Sequence, residues 1–364
     1  MKKHVFHLAW SPTAHPVEDS LKPLTDMIDI ELSAVHKNLL HKNFLRVMSA
    51  QVGIVVRLLK ECVDENPGME PAFYHRLFEA WHVLVDFFHA GGKGLSTDVL
   101  ETAPEHVALV KILSLNQTPT QQLIEKYYKD LLKQQVGYCE VFIFHDMVFC
   151  SVLGGGRAQR GRNVHIKQEY APALPTFFVV SPSLVALRNS LWNEVSECKY
   201  GILNVRAYYN TSSQTLVLDV IGAKQVIPLD ANGLSDPFVV IRLVPKYRYP
   251  NQVVSKTRVV SKTLNPIFDE TFEFHIPPKL PPCAMLHFTV MDHDYLRSND
   301  FAGEAFLELA DVPGFGVAGG NTLRQFNLIL IQPVQNNKEI IDVLTSRKED
   351  KEALEFLRSI TTAY

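Results

Sequence analysis

Cysteine is scarce in this chain and forms no framework. Cys62, Cys139, Cys150, Cys198 and Cys283 are the five in 364 residues, odd in number and without a C-x-x-C pair. That pattern argues against a disulfide scaffold and for free thiols in a reducing compartment. Long hydrophobic runs are missing too: no stretch approaches the roughly 18 apolar residues of a membrane span. The opening MKKHVFHLAWSPTAHP is basic, but its apolar part is too broken for a secretory signal. Neither sign of charge dominates. With a net charge of −3, nucleic acid is not expected as a partner, and any basic surface must be local. Catalytic signatures are absent as well. There is no G-x-S-x-G elbow and no H-E-x-x-H, and GGGRAQRGR lacks the Gly-Lys-Ser/Thr ending of a phosphate loop. The expectation is a non-enzyme without a small-molecule substrate, cytoplasmic, touching membranes only peripherally.

What is present suffices for two or three domains. Hydrophobic content of 46% and charged content of 21% are those of an ordinary globular protein. Leu24, Ile28, Leu32, Val35, Leu39, Val47, Ile54 and Leu58 recur near helical spacing, which predicts one long amphipathic helix over 24–63, started by Thr25 and Asp26. A second helix follows Pro71, with Phe73, Leu77, Trp81, Leu84, Val85 and Phe88 on a wide apolar face, and Gly91 and Gly92 end it. A third runs from about Pro119 to Gln135. Wide stripes joined by short connectors make residues 1–136 a helical bundle.

Residues 137–196 stay unassigned, as a linker or an insertion. GYCEVFIFHDMVFCSV is apolar and β-prone, a candidate for extra strands, and the Gly/Arg stretch after it reads as a loop. From Tyr200 the apolar period becomes two. Strand-like runs near 202–209, 215–221, 238–244, 256–260, 268–276, 285–292, 302–309 and 323–330 are separated by turn signals such as Asn232-Gly233 and Asn265-Pro266. The fold class is therefore multidomain: an α-helical bundle followed by an eight-stranded antiparallel β-sandwich over 197–334. Residues 335–364 form a charged helical tail, with Leu344, Leu354, Phe356 and Leu357 available for packing.

Five aspartates carry the chemistry. Asp230 and Asp236 lie in LDANGLSDPF, and Asp292, Asp294 and Asp300 in MDHDYLRSNDF, at spacings of six, then two and six. Two such loops at one end of a sandwich would bring hard carboxylate oxygens together. Side chains two apart on an extended segment share a face, so Asp292 and Asp294 can address one point. That is what Ca²⁺ requires, with its roughly 6–8 oxygen ligands in adaptable geometry. The competing reading is a pair of solvated acidic turns.

Three segments are specific enough to name a family. DANGLSDPFV, SKTLNPIFDETFEF and MDHDYLRSNDFAGEA resemble a type-I-like C2 domain, the calcium-dependent phospholipid-binding sandwich. The resemblance implies calcium ligation by Asp230, Asp236, Asp292, Asp294 and Asp300, with two or three Ca²⁺ ions. NFLRVMSAQ, FEAWHVLVDFFHAGGKGLSTDVL and PTQQLIEKYYKDLLKQQ resemble the second homology region of the Munc (mammalian uncoordinated) vesicle-priming family, which ends the helical MUN module before a terminal C2 domain. The loops read closest to the branch of brain-specific-angiogenesis-inhibitor-associated protein three. The resemblance leaves out 137–196. It implies a calcium-dependent adaptor on anionic phospholipid membranes, acting with SNARE proteins in vesicle priming and exocytosis at plasma membrane, vesicles or endosomes. A calcium-independent protein-interaction scaffold is the alternative.

Two further sets of residues follow from that expectation. Leu234 in the first loop and Tyr295 and Leu296 in the third are candidates for shallow membrane insertion; packing beneath the loops is the competing role. Lys256, Arg258 and Lys262 surround one expected strand and form a candidate anionic-lipid patch. Edge-strand lysines also serve merely to prevent sheet association. Lys246, Arg248 and Arg297 are weaker candidates for the same patch.

Overall fold

The computed structural model describes residues 1–10, 15–153, 199–281, 283–294, 297–315, 322–332 and 337–361, the side chains of 137–153 excepted. It comprises two units. One is Met1–Asp130 with Pro245–Pro250 and Pro333–Tyr364; the other is Leu131–Val244 with Asn251–Gln332.

The first unit is helical: α1 Lys2–Trp10, α2 Val17–His36, α3 His41–Glu65, α4 Pro71–His89, α5 Thr97–Thr102, α6 Pro104–Gln117, the start of α7 (Thr120–Leu153), then α8 Lys338–Ser346 and α9 Lys351–Thr361. The single helix expected over 24–63 is two helices. The Asn38 amide turns back to donate to the Ala34 carbonyl at 3.1 Å, a local bond that competes with helix continuation, and Leu40 is extended at the start of α3. Leu39, counted by period into the apolar face, and its neighbour Leu40 are exposed at this break. Helix α4 ends as expected: Ala90 is left-handed, and Gly91 and Gly92 follow at φ 59° and 88°. The tail also divides in two, interrupted between Ser346 and Lys351.

The β-prone run after Gly137 is helical instead, because α7 continues to Leu153. A helix already nucleated upstream adds one hydrogen bond per further residue, whereas a strand needs a partner edge. The remainder of 137–196 lies outside the described residues.

Leu8, Leu21, Leu24, Ile28, Val55, Leu59, Leu77, Leu84 and Leu109 are completely buried in the helical core. Burying each such side chain contributes about 1.5–3 kcal/mol before entropy is counted. Arg76 is buried there as well. Its guanidinium donates to the Leu8 carbonyl at 2.9 Å, the His15 carbonyl at 3.0 Å and Ser20 Oγ at 2.6 Å, so its donors meet main chain and hydroxyl rather than an acid.

The second unit is the sandwich. Its strands are β1 Ile202–Asn210, β2 Thr215–Lys224, β3 Pro237–Val244, β4 Ser255–Lys256, β5 Ile267–His275, β6 Met285–Asp292, β7 Asp300–Glu308 and β8 Arg324–Ile329. They form two four-stranded antiparallel sheets, ordered β5-β2-β1-β8 and β4-β3-β6-β7. Strands β1 and β2 alternate buried and half-exposed positions, whereas β6 is buried throughout as a central strand. Strand β4 is shorter than the 256–260 expected. Past Lys256 the chain bonds irregularly, Thr257 N–H to Val239 O and Val260 N–H to Pro237 O, rather than as a ladder. Register sets the working end: Pro237 pairs with Asp292, and Asp292 with Asp300.

The returning tail is fastened through one cation. Arg347 donates to Thr120 Oγ1 and the Thr118 carbonyl at 2.7 Å each, and to the Asn116 carbonyl at 3.1 Å, covering the open carbonyl end of α6. Thr120 Oγ1 donates to Asp350 at 2.5 Å, and Asp350 accepts the Glu352 and Ala353 N–H groups that begin α9. Burial pushes the Asp350 carboxyl up, but the Thr120 hydroxyl, those two N–H groups and Arg347 hold it below its usual range. A carboxyl with its pKa depressed by folding stabilises the protein above the unfolded value, and that stability is lost as pH falls through the folded value. Arg347→Ala is expected to lower unfolding stability by roughly 1–3 kcal/mol in urea titration. Asp350→Asn should do so at neutral pH, with the loss shrinking as pH falls below the usual carboxylate range. Equal losses for Asp350→Asn at neutral and at acid pH would contradict the assignment.

Candidate metal centre

The loop between β2 and β3 is built by short-range bonds. Asp230 N–H donates to the Leu234 carbonyl at 3.0 Å, Gly233 N–H to the Asp230 carbonyl at 3.0 Å, and Leu234 N–H to Asn232 Oδ1 at 2.8 Å. Gly233 takes φ 78°, a conformation that glycine enters without steric cost. Ser235, fully buried, staples the loop by donating to the Ile227 carbonyl at 2.8 Å and accepting Leu229 N–H at 3.0 Å. Asp236 then enters β3 beside the end of β6. The loop between β6 and β7 is held at Asp294, whose N–H donates to Asn299 Oδ1 at 3.2 Å.

Asp292 is the centre of the arrangement and is only 2% exposed. Its Oδ1 accepts the Asp236 N–H at 2.5 Å, and the His293 N–H returns to the Asp236 carbonyl at 3.0 Å. Burial is the first cause that pushes the Asp292 carboxyl above its usual range. The Asp236 N–H opposes it, and the charges of Asp230, Asp236 and Asp294 push the same way as burial. Asp300 stands directly across the ladder, exposed. Both loops thus meet at one end of the sandwich: Asp230, Asp236 and Asp294 act on Asp292 through their charge, and Asp300 is its ladder partner. Among the described residues none of the five is in an ion pair with a lysine or arginine.

The donor set suits a hard divalent cation: oxygen only, anionic, and partly desolvated. As the side chains stand, no three such groups among the described residues converge closely enough to hold one ion. N–H donors already occupy Asp292 Oδ1 and Asp236 Oδ1. The second of these is the main-chain N–H of Lys262, at 2.6 Å.

The other expected residues divide. Leu234 is half-buried within the first-loop turn. Tyr295 and Leu296 lie outside the described residues. Lys256 and Lys262 are exposed and belong to opposite stretches of one connection: Lys256 pairs with Val240, while Lys262 sits at Asp236 with φ 57°. Arg258 is exposed but engaged, its N–H donating to Glu270 Oε1 at 2.8 Å and its guanidinium lying 3.8 Å from the same carboxylate. Lys246 and Arg248, weaker candidates, are ion-paired with Glu355 and Glu125. Sequence reasoning missed Ser235 and the main chain of Lys262; a serine and a peptide N–H carry no signal in composition or period.

Residues 214–324 match the family model described as the C2 domain. The chain is 29% identical to human BAI1-associated protein 3 over 366 residues, covering 99% of this chain and 26% of that protein. It is 30% identical to human protein unc-13 homolog D over 361 residues, covering 98% of this chain and 28% of that protein. Human synaptotagmin-7 is 32% identical over 130 residues, 34% of this chain and 32% of that protein. The chain spans about a quarter of the length of the curated full-length relatives it matches. A helical region followed by a C2 domain is thus its architecture, and the resemblance read from the sequence agrees with these relatives. Among the described residues no helix is long and apolar enough to cross a membrane.

Asp292 yields a stability test. A carboxyl whose pKa is raised by folding destabilises the folded state when ionised; the cost is present above the folded value and disappears as pH falls below the unfolded one. Asp292→Asn keeps an oxygen that can accept the Asp236 N–H and removes the buried charge. In metal-free buffer near pH 7 its melting temperature is expected to exceed that of the parent by roughly 2–4 °C, with the gap closing toward pH 4. A lower melting temperature than the parent would contradict the reading.

Proposed function

We propose that this chain is a non-enzymatic adaptor. Its C2 domain takes up Ca²⁺ at Asp230, Asp236, Asp292, Asp294 and Asp300 and then docks on anionic phospholipid membranes, in vesicle tethering and priming and SNARE-dependent exocytosis. The observation that carries this reading is the burial of Asp292 among like charges that no described basic side chain neutralises. Similarity to unc-13 homolog D and to synaptotagmin-7 supports the setting, vesicle exocytosis and trafficking. The protein would work peripherally, from the cytoplasm, at plasma membrane, vesicles or endosomes.

Bound Ca²⁺, two or three ions, supplies positive charge and open coordination positions for lipid phosphate oxygens. The chain's own residues determine the rest. Before uptake, five carboxylates repel an anionic surface. After neutralisation that barrier is gone, and exposed Lys256 and Lys262 each contribute about 1 kcal/mol near an anionic leaflet. Leu234, with Tyr295 and Leu296 from the other loop, adds shallow apolar contact.

A second reading is favoured by one observation, the failure of the carboxylates to converge as they stand. In it the C2 domain is a calcium-independent protein-interaction scaffold of the trafficking machinery.

Sedimentation with phosphatidylserine-containing vesicles separates the two. The chain is expected to pellet with vesicles in Ca²⁺ and to remain in the supernatant in chelator. Asp230→Asn combined with Asp292→Asn should abolish pelleting. Equal pelleting in Ca²⁺ and chelator, or full binding by the double variant, would refute the metal role.

A further inference from the structure

We propose that the turn between α2 and α3 is a calcium-independent contact with anionic bilayers, in which Leu39 and Leu40 rest shallowly among the acyl chains while Lys37, Lys42 and Arg46 meet the headgroups. The site lies wholly within the helical unit and owes nothing to metal uptake by the sandwich.

Two cross-links locate the apex. Gln51 Nε2 donates to Glu31 at 2.8 Å, and the His36 ring stands edge-on to Phe44 with centroids 4.6 Å apart. Helices α2 and α3 therefore run antiparallel, and the two pairs are centred at His41 and Leu40. All residues from 36 to 43 are exposed, Leu40 at 78% and Leu39 at 38%. The turn is nevertheless ordered. Asn38 N–H donates to the Val35 carbonyl at 3.1 Å, and the Asn43 and Phe44 N–H groups both donate to the Leu40 carbonyl, at 2.9 and 3.0 Å. Beneath it Phe44 is buried in the core. A protein that takes a helix does so in a groove. This tip is convex and suits a flat interface.

Charge selects the occupant. His-Lys-Asn stands on each side of Leu39-Leu40, and from 32 to 60 the chain holds Lys37, Lys42, Arg46, Arg57 and Lys60 but no carboxylate. Lys37, Lys42 and Arg46 are exposed, and among the described residues none of the three is ion-paired. Lys42 and Arg46 lie one turn apart on the same face of α3. Leu40 also occupies the N-cap of α3 without a side-chain cap, where serine, threonine, aspartate or asparagine would stabilise the helix. Folding therefore does not account for leucine there. The uncapped end leaves main-chain N–H groups of the first turn for an outside acceptor, and a lipid phosphate is one. Isolated exposed leucines are common and need no partner. An adjacent pair at an apex flanked by cations, with no acid beside it in the chain, suits the boundary between acyl chains and anionic headgroups. A second copy of the same tip would be repelled by its like charge, so an anionic bilayer is the occupant chosen.

A single anchor of this size gives only marginal, reversible attachment, so it is read by fluorescence at high lipid rather than by sedimentation. The full chain carrying Leu40→Trp is titrated in chelator with vesicles of three parts phosphatidylcholine to one part phosphatidylserine. Its emission, taken as the difference from the parent, is expected to shift to the blue and to be quenched by brominated lipid. Vesicles of phosphatidylcholine alone should leave it unchanged. Adding Lys37→Gln and Lys42→Gln should weaken the apparent lipid affinity about thirtyfold. Val107→Trp is the control: Val107 is also exposed in the helical unit, but near Glu105 rather than among cations, and its emission should not respond. Leu40→Ser should melt at or above the parent's temperature, because serine can cap α3. A lower melting temperature would assign Leu40 to the fold and overturn the proposal. So would an emission unmoved by anionic vesicles, an equal response to phosphatidylcholine alone, or an equal response from Val107→Trp. A shift that follows protein concentration without lipid would assign the tip to a second copy instead. One produced by a polyglutamate peptide and not by vesicles would assign it to an acidic protein. Calcium has no part in these measurements, so their failure leaves metal-dependent docking standing, and the reverse also holds.

Discussion

A carboxylate buried among its own kind is the constraint around which the sandwich end is organised. Asp292 closes β6 at a place where the strand is covered on both faces, and water does not solvate its charge. Coulomb repulsion between carboxylates grows as the surroundings become less polar, so the site is held at a cost that the rest of the domain must offset. The β3-β6-β7 ladder meets it by fixing the backbone: Pro237 opposite Asp292, and Asp300 opposite Asp292. The Asp236 N–H offsets part of the cost locally. A cation would offset the remainder, which is why a destabilised end of an otherwise well-packed sandwich points to function.

Much of this was legible in the residues. Period-two patterning located the eight strands closely, because a strand with one covered face shows its alternation directly, as β1 and β2 do. The spacing of the aspartates placed them in two loops, and turn chemistry at Asn232-Gly233 interrupts the strands within the first of them. Helix boundaries were less legible. Apolar period alone ran α2 into α3, because the break at Asn38 depends on a single side-chain amide and costs the pattern nothing. The stretch after Gly137 has strand-like composition yet continues a helix, since a run of β-branched and aromatic residues follows whichever neighbour already offers hydrogen bonds.

What sequence could not supply is the set of bonds that position one loop by another. Lys262 was selected for its charge, yet in the fold its main-chain N–H matters as much, because it donates to Asp236 and moors the β4–β5 connection at the cluster. Ser235 behaves similarly, a small buried residue whose hydroxyl sets the shape of the first acidic loop. The exposure of Ile267 is visible only once β5 is known to start at the sheet edge. The Lys262–Asp236 bond joins residues 26 positions apart and leaves no periodic trace.

The central claim is that five aspartates contributed by two loops take up divalent metal. Isothermal titration of Ca²⁺ into the intact chain, at neutral pH and in the absence of lipid, addresses it most directly. Saturable heat with a stoichiometry of two or three ions, lost when Asp236 and Asp294 are both changed to Asn, is the predicted result. A titration with no heat beyond dilution, and no change in melting temperature at the highest Ca²⁺ added, would contradict it.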